Sequence, residues 1–434
     1  MEPHAGGMAQ TLTAGDDSPH LPRNPLITDT SQSSQAPGTL QAPADPRTSP
    51  DPQADAVQVW AGSPEALLAI VPHLLGFVPQ ASLVVIGIEP PCDRVKVTLR
   101  YDLPDPPGAG IAADIADHAV GVIGSQRLGS MVAAGYGPRM LVDPVADALR
   151  AAASKAGIGV LDILRVEAGR YWSYLCGDEA CCPVTGTPFG PEGISPSAAL
   201  TSAGNQVLPD RAAVAARVAP LGGSAAESMR QATRRAERHV SQLLAKVRKS
   251  SRLGAARRLI VAEGLNAVGN MIATYRAGGK YITDYQIAWI TVALRDLRVR
   301  DDAWARMDPW YLDAHRRLWI DVTRRAQPGY VAAPAALLAF VAWQCGDGAL
   351  ANVALDRALA DDPGYSMAQL LRQVISAGAP PSLARLPMTP EEVAASYDDI
   401  EDDTGYDDIG DDLAEIYDHE PDADVHDPDP LTEQ

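Results

Sequence analysis

The 434-residue chain is poor in aromatic residues, with three Phe, seven Trp and thirteen Tyr. Its longest apolar stretch, Ala332–Trp343, contains Pro334 and falls far short of the roughly 18 residues a bilayer span requires. The first residues, MEPHAGGMAQ, offer no basic stretch followed by an apolar core, so a secretory signal is not expected. Cysteine is scarce as well: there are five, three of them crowded at Cys176, Cys181 and Cys182. That excludes a secreted disulfide framework and points to a reducing compartment. The sequence therefore reads as a soluble cytoplasmic protein. Motifs that name a reaction are missing too, with no G-x4-G-K-[ST] loop, no G-x-S-x-G elbow and no H-E-x-x-H helix.

With 46% hydrophobic and 21% charged residues, the chain is neither collagen-like nor wholly disordered, and its length allows about two folded domains plus tails. The net charge of -19 is concentrated at one end. Residues 386–434 hold nineteen Asp and Glu with no Lys or Arg, so the body is neutral and the tail carries the excess. Lysine occurs only at Lys96, Lys155, Lys246, Lys249 and Lys280, against 31 Arg. With the high Ala content, this suggests a GC-rich bacterial genome.

Four segments follow. Residues 1–55, rich in Pro, Ser, Thr, Gln and Asp, cannot offset their conformational entropy by burial and are expected to be disordered. Residues 56–195 alternate strand and helix signals. Ser63-Pro64-Glu65 followed by Gly76 predicts a helix over Pro64–Leu75. The β-branched run Leu83–Ile88 and the alternating Val95–Tyr101 predict a hairpin. Helices over 112–123 and 144–155 and strands over 128–134, 160–166 and 171–175 predict a mixed α/β sheet, ending in a Cys-rich loop. From 196 to 385 the strand signals vanish, and helices are expected over 227–252, 255–276, 284–297, 310–325, 335–344, 349–360 and 365–376. Residues 386–434 form an acidic tail, expected to be disordered. The fold class is thus α/β followed by all-α.

Three constellations carry candidate chemistry. The helix pair within 335–370 places Leu338, Ala339, Gly346, Ala351, Leu355, Ala358 and Pro363 at tetratricopeptide-like spacing, although Ala335 and Ala342 occupy that pattern's aromatic positions. It reads either as a repeat-like interaction unit or as a plain helical pair packed on its neighbours. Cys176-x4-Cys181-Cys182 offers soft thiolates. Zinc would need a fourth donor, for which His73, His118 and Cys92 are the candidates, and the side chains of adjacent Cys181 and Cys182 are expected to diverge. The alternatives are a reactive thiol or a structural loop, and no cofactor other than this zinc is predicted. The third is Arg211–Arg258, which holds twelve bases against Glu227 and Glu237. Arg230, Arg234, Arg238, Lys249 and Arg252 recur at three- or four-residue steps and could track phosphates. The alternatives are a solvated helix face or an intramolecular contact with the acidic tail.

The stretches Ser63–Ile88 (SPEALLAIVPHLLGFVPQASLVVIGI), Arg170–Phe189 (RYWSYLCGDEACCPVTGTPF) and Gly346–Leu371 (GDGALANVALDRALADDPGYSMAQLL) resemble an actinobacterial family of uncharacterised proteins classed as a domain of unknown function. The resemblance spans about residues 57–385. It implies an actinobacterial origin and no reaction, and it directs interest to His73, Trp172, Cys176, Cys181 and Cys182 as a pocket or thiol cluster. Taken together, the sequence favours an interaction or regulatory protein that binds a protein partner through its helical half. The alternatives are an enzyme or small-molecule or metal binder at the sheet edge near the Cys loop, and a nucleic-acid binder using the Arg-rich helices.

Overall fold

The computed structural model describes residues 63–89, 94–105, 109–190, 206–248, 253–279, 282–381 and 389–403. The expected disorder of residues 1–55 lies outside them. The first helix, α1 (Pro64–Leu75), begins as its sequence dictates. The Ser63 hydroxyl accepts from the Ala66 amide, Pro64 follows at the first helical position, and Gly76 ends the helix at φ 76, a left-handed conformation glycine adopts without a steric cost.

A six-stranded mixed sheet follows, in the order β2-β1-β3-β4-β5-β6. Strand β1 (Ser82–Glu89) lies between β2 (Arg94–Asp102) and β3 (Ser130–Tyr136) and is antiparallel to both. Strand β4 (Gly159–Glu167) is parallel to β3. Two short antiparallel strands, β5 (Arg170–Ser173) and β6 (Thr187–Pro188), close that side of the sheet. The parallel pair needs a crossover, supplied by α3 (Arg139–Ala156), while α2 (Ala109–Ser125) carries the chain from β2 over β1 to β3.

Strand alternation assigns the faces. Leu83, Val85, Met131, Ala133 and Ile163 pack under α2 and α3. Val84, Ile86, Val132, Ala134 and Leu164 pack under α1. Burial on both faces explains why β1 reads as an unbroken apolar run. Helix α3 starts at Arg139, five residues before the expected Pro144, which sits inside it.

The remainder is helical: α4 (Arg211–Ala216), α5 (Gly223–Arg248), α6 (Leu253–Arg276), α7 (Asp284–Ala293), α8 (Leu297–Ala305), α9 (Leu312–Arg325), α10 (Ala332–Gln344), α11 (Gly348–Asp361), α12 (Ser366–Ser376) and α13 (Pro390–Asp403). The single helix expected over 284–297 is divided, because the Asp296 carboxylate accepts from the Arg298 amide and caps a new helix. No described helix is long and apolar enough to cross a membrane. Helix α13 corrects the view of residues 386–434 as wholly disordered. Val393 is buried, and the Tyr397 hydroxyl donates to Asp301 of α8 at 2.7 Å. The described part of the acidic segment thus lies on α8.

Helix α10 is the centre of the helical core, since every residue from Ala332 to Trp343 is buried. An all-apolar helix needs partners on every side; here α9, α11 and α12 provide them. The α/β part joins this core through Phe77. It is buried among helical residues, while Leu208 pairs with the flanking backbone, its amide donating to Gly76 O at 2.9 Å and its carbonyl accepting from Val78 at 3.0 Å.

The start of α10 has no local side-chain cap. Instead, the Asp361 carboxylate, at the far end of α11, accepts from the amides of Gly329, Val331 and Ala332 at 2.7, 2.8 and 3.0 Å. Asp361→Ala is expected to destabilise the protein by about 2 kcal/mol, because it strands the amides of Val331 and Ala332 at a buried helix start. Chemical denaturation measures it, and an unchanged midpoint would refute the capping role.

His315 of α9 is buried beside Arg276 and Asp308, and its Nε2 lies 3.3 Å from the Arg276 guanidinium. Burial, reinforced by the Arg276 charge and opposed by Asp308, holds its pKa down to about 4. The unfolded chain takes up this proton near pH 6.5 and the folded chain only near 4, so the contribution is complete above 6.5 and is lost as pH falls toward 4. It amounts to about 3 kcal/mol at most. Stability of the His315→Asn variant, measured from pH 7 to 4, should show a correspondingly shallower decline than the parent.

Candidate functional site

The loop from β5 to β6 is built by hydrogen bonds that begin beneath it. Ser173 Oγ donates to Asp162 Oδ1 at 2.7 Å and accepts from the amides of Leu175 and Cys176 at 3.1 and 3.0 Å. Burial raises the Asp162 carboxyl, against the lowering effect of the Ser173 hydroxyl and of the Ile163 and Leu175 amides. Asp178 then folds the loop onto itself. Its side chain accepts from Ala180 at 2.9 Å, and its carbonyl accepts from Cys181 and Cys182 at 3.2 and 2.7 Å.

Because two successive amides converge on one carbonyl, the backbone turns tightly enough to keep both side chains on one side. The sulfurs of Cys176, Cys181 and Cys182 all lie within 4.8 Å of one another. This corrects the expectation that the adjacent cysteines diverge. A backbone hydrogen bond at Asp178, with the neighbouring thiols, lowers the Cys176 pKa, whereas burial and the same thiols push the Cys182 thiol up to about 12.

None of the expected fourth donors among the described residues joins the three sulfurs within that distance. His118 Nδ1 instead pairs with the Tyr101 hydroxyl at 2.8 Å. His73 sits half-buried in the last turn of α1, and burial lowers its pKa. Cys92 lies outside the described residues. Glu65, at the start of α1, accepts the Tyr171 hydroxyl. The N-terminal end of α1 is thereby tied to β5, the strand that leads into the thiol loop.

Trp172 clamps the descending side of the loop. Its Nε1 donates to Val184 O at 3.0 Å, the Arg165 guanidinium stacks 3.7 Å from its ring centre, and Arg170 donates to Gly186 O at 2.7 Å. Gly186 has φ +77, and a Cβ there would lie 2.5 Å from the indole.

Arg230, Arg234 and Arg238 lie exposed on α5, and Lys249 and Arg252 fall outside the described residues. Arg230 is paired with Glu227 at 2.5 Å and lines, with Arg324 and Arg325, a cavity of about 160 Å³. Several other bases of the stretch are engaged: Arg211 with Asp356, Arg217 with Asp347, Arg257 with Asp296, and Arg235 over the Tyr285 ring. Among the described residues, the bases of this stretch are thus divided between exposed positions and ion pairs or ring contacts.

A larger cavity, about 380 Å³, runs between α6 and α7. Its α6 wall presents Glu263, Asn266, Asn270 and Thr274, and its α7 wall presents Tyr285, Gln286 and Trp289. His239 of α5 bonds Glu263 at 2.8 Å and meets Trp289 edge-on at 5.1 Å. This site was not singled out from the sequence, although polar residues at 263, 266, 270 and 274 recur with helical period along α6.

A mixed α/β sheet followed by helices carrying a three-thiol loop and a polar groove is the architecture to be matched. Residues 64–382, well over half the chain, fit the family model described as Domain of unknown function (DUF4192), and the chain belongs to that family. No match was found among curated proteins or among solved structures.

Gly186→Ala should displace Trp172 and destabilise the β5–β6 hairpin by about 1–3 kcal/mol, from the steric conflict and the positive φ. Hydrogen exchange across residues 170–190 is expected to accelerate while the α10 core stays protected; unchanged exchange would contradict the clamp.

Proposed function

We propose that the protein is an interaction module whose helical half receives an extended peptide segment of a partner protein in the α6–α7 groove. The observation that carries this reading is the pair Asn266 and Asn270, both exposed on the groove wall. A carboxamide offers an acceptor and donors together and so matches the carbonyl and amide of a peptide backbone. Residues four apart on a helix are separated by about 6 Å along its axis, close to the roughly 6.6 Å between alternate residues of an extended chain. Two asparagines one turn apart can therefore read alternate peptide units. Met271, Ile282 and Trp289 supply apolar contact beside them, and Glu263 supplies one carboxylate. A groove of this volume falls within the range that occluded ligand sites use.

In this reading the helices 332–376 act as a tetratricopeptide-like scaffold rather than as the binding face, because α10 is buried all round. A cytoplasmic location and an actinobacterial origin belong to the same proposal. The first is supported by four free cysteines among the described residues, the second by the preference for Arg over Lys.

Selection of displayed random 12-residue peptides on the full chain tests the reading. Enriched peptides should lose at least about tenfold in affinity for the Asn266→Ala/Asn270→Ala double variant, the worth of one to two backbone hydrogen bonds. Exposed substitutions of this kind leave folding stability nearly unchanged, so equal melting temperatures confirm that the loss is local. No enrichment, or equal affinity for the variant, would refute the groove as a peptide site.

A further inference from the structure

We infer that Cys176, Cys181 and Cys182 form a three-thiolate site for a thiophilic d10 cation, zinc(II) or copper(I), independent of the peptide groove. Three sulfurs from one seven-residue loop lie within 4.8 Å of one another. Around a zinc ion with bonds of about 2.3 Å, tetrahedral sulfurs sit about 3.8 Å apart. Side-chain rotation alone spans the difference.

The loop is also prepared for a ligand. Its conformation is set by the Ser173–Asp162 pair, by the Ser173 bonds to Leu175 and Cys176, and by the Asp178 carbonyl that gathers Cys181 and Cys182. These bonds hold the backbone in place before an ion arrives, so binding orders little more than three short side chains.

A purely structural role fits less well. Free cysteines that serve packing are among the most buried residues, yet Cys181 is exposed and Cys176 and Cys182 are only half-buried. None of the three belongs to the buried hydrophobic core. Thiolates are soft donors and select copper(I) and zinc over hard cations. No imidazole or carboxylate among the described residues joins the sulfurs, which leaves copper(I) trigonal and gives zinc a fourth position open to water or another exogenous donor. Binding releases the thiol protons to solvent and changes no oxidation state.

The test uses the full chain, reduced, metal-free and with its thiols confirmed free by titration. Zinc(II) is titrated against a chromophoric chelator, and copper(I), in a separate arm, against a copper(I)-specific one. One ion per chain is expected in at least one arm, and the arm with the tighter complex identifies the metal. Cys176→Ser, Cys181→Ser and Cys182→Ser should each weaken that complex by at least about tenfold, since even residues that merely support metal ligands cost about 10- to 100-fold. Cys345→Ser should leave it unchanged. X-ray absorption should count three sulfurs, with one lighter atom added for zinc. Protection of the same three thiols from iodoacetamide by the bound ion, read by peptide mass spectrometry on the unmutated chain, needs no substitution. No uptake in either arm, uptake indifferent to the three substitutions, four sulfur neighbours, or equal alkylation with and without the ion would each overturn the inference.

Discussion

The helical half depends on the burial of one helix. From Ala332 to Trp343, α10 exposes no face to water, so its amides cannot be hydrated and its apolar surface cannot be left uncovered. Both demands fall on the same neighbour. Helix α11 covers one side and returns the chain to the start of α10, where Asp361 takes up the orphaned amides of Gly329, Val331 and Ala332. Packing and capping are thereby coupled, for a shift of α11 along α10 would withdraw the cap while opening the core. The helix pair is fixed in register by a charge at its end as well as by the shape of its interior.

The outer layers inherit their form from that centre. Helix α7 is nearly as buried as α10, from Ile287 through Ala293, and its Trp289 edge meets His239, which holds Glu263 of α6. The groove between α6 and α7 thus has one wall anchored in the core and one polar wall facing it. Its shape follows from the packing beneath, which explains why a stripe of Asn and Thr on α6 can remain exposed without loosening the helix that carries it.

Much of this was legible in the sequence, and the reasons differ from element to element. Helix α1 announced itself because Ser63, Pro64 and Gly76 are local signals read within one turn of chain. The buried strands were legible because β1 carries β-branched residues without a polar interruption. The break between α7 and α8 was hidden, because Asp296, whose carboxylate caps α8, looks in sequence like any acid on a helix face. Helix α13 was obscured by composition: its acids outweigh the burial of Val393 and the Tyr397–Asp301 bond, both of which exist only in the fold. The basic stretch misled in the opposite direction. Some of its charges find partners far away in the chain, Asp356 for Arg211, Asp347 for Arg217 and Asp296 for Arg257, and a count along the sequence cannot see a neutralised charge.

The thiol loop shows where the limit lies. The spacing of Cys176, Cys181 and Cys182 was visible, but spacing does not determine direction. Adjacent side chains point apart along an extended chain and together around a tight turn, and which of these holds depends on Asp178, whose carbonyl gathers two amides at once. That turn rests in turn on Ser173 and Asp162, and its far side is held by Trp172 against Gly186. Each contact is ordinary by itself. Their joint effect is to place three polarizable sulfurs together at the edge of a sheet, where the cost of ordering them has already been met in folding and the remaining free energy is available for a ligand.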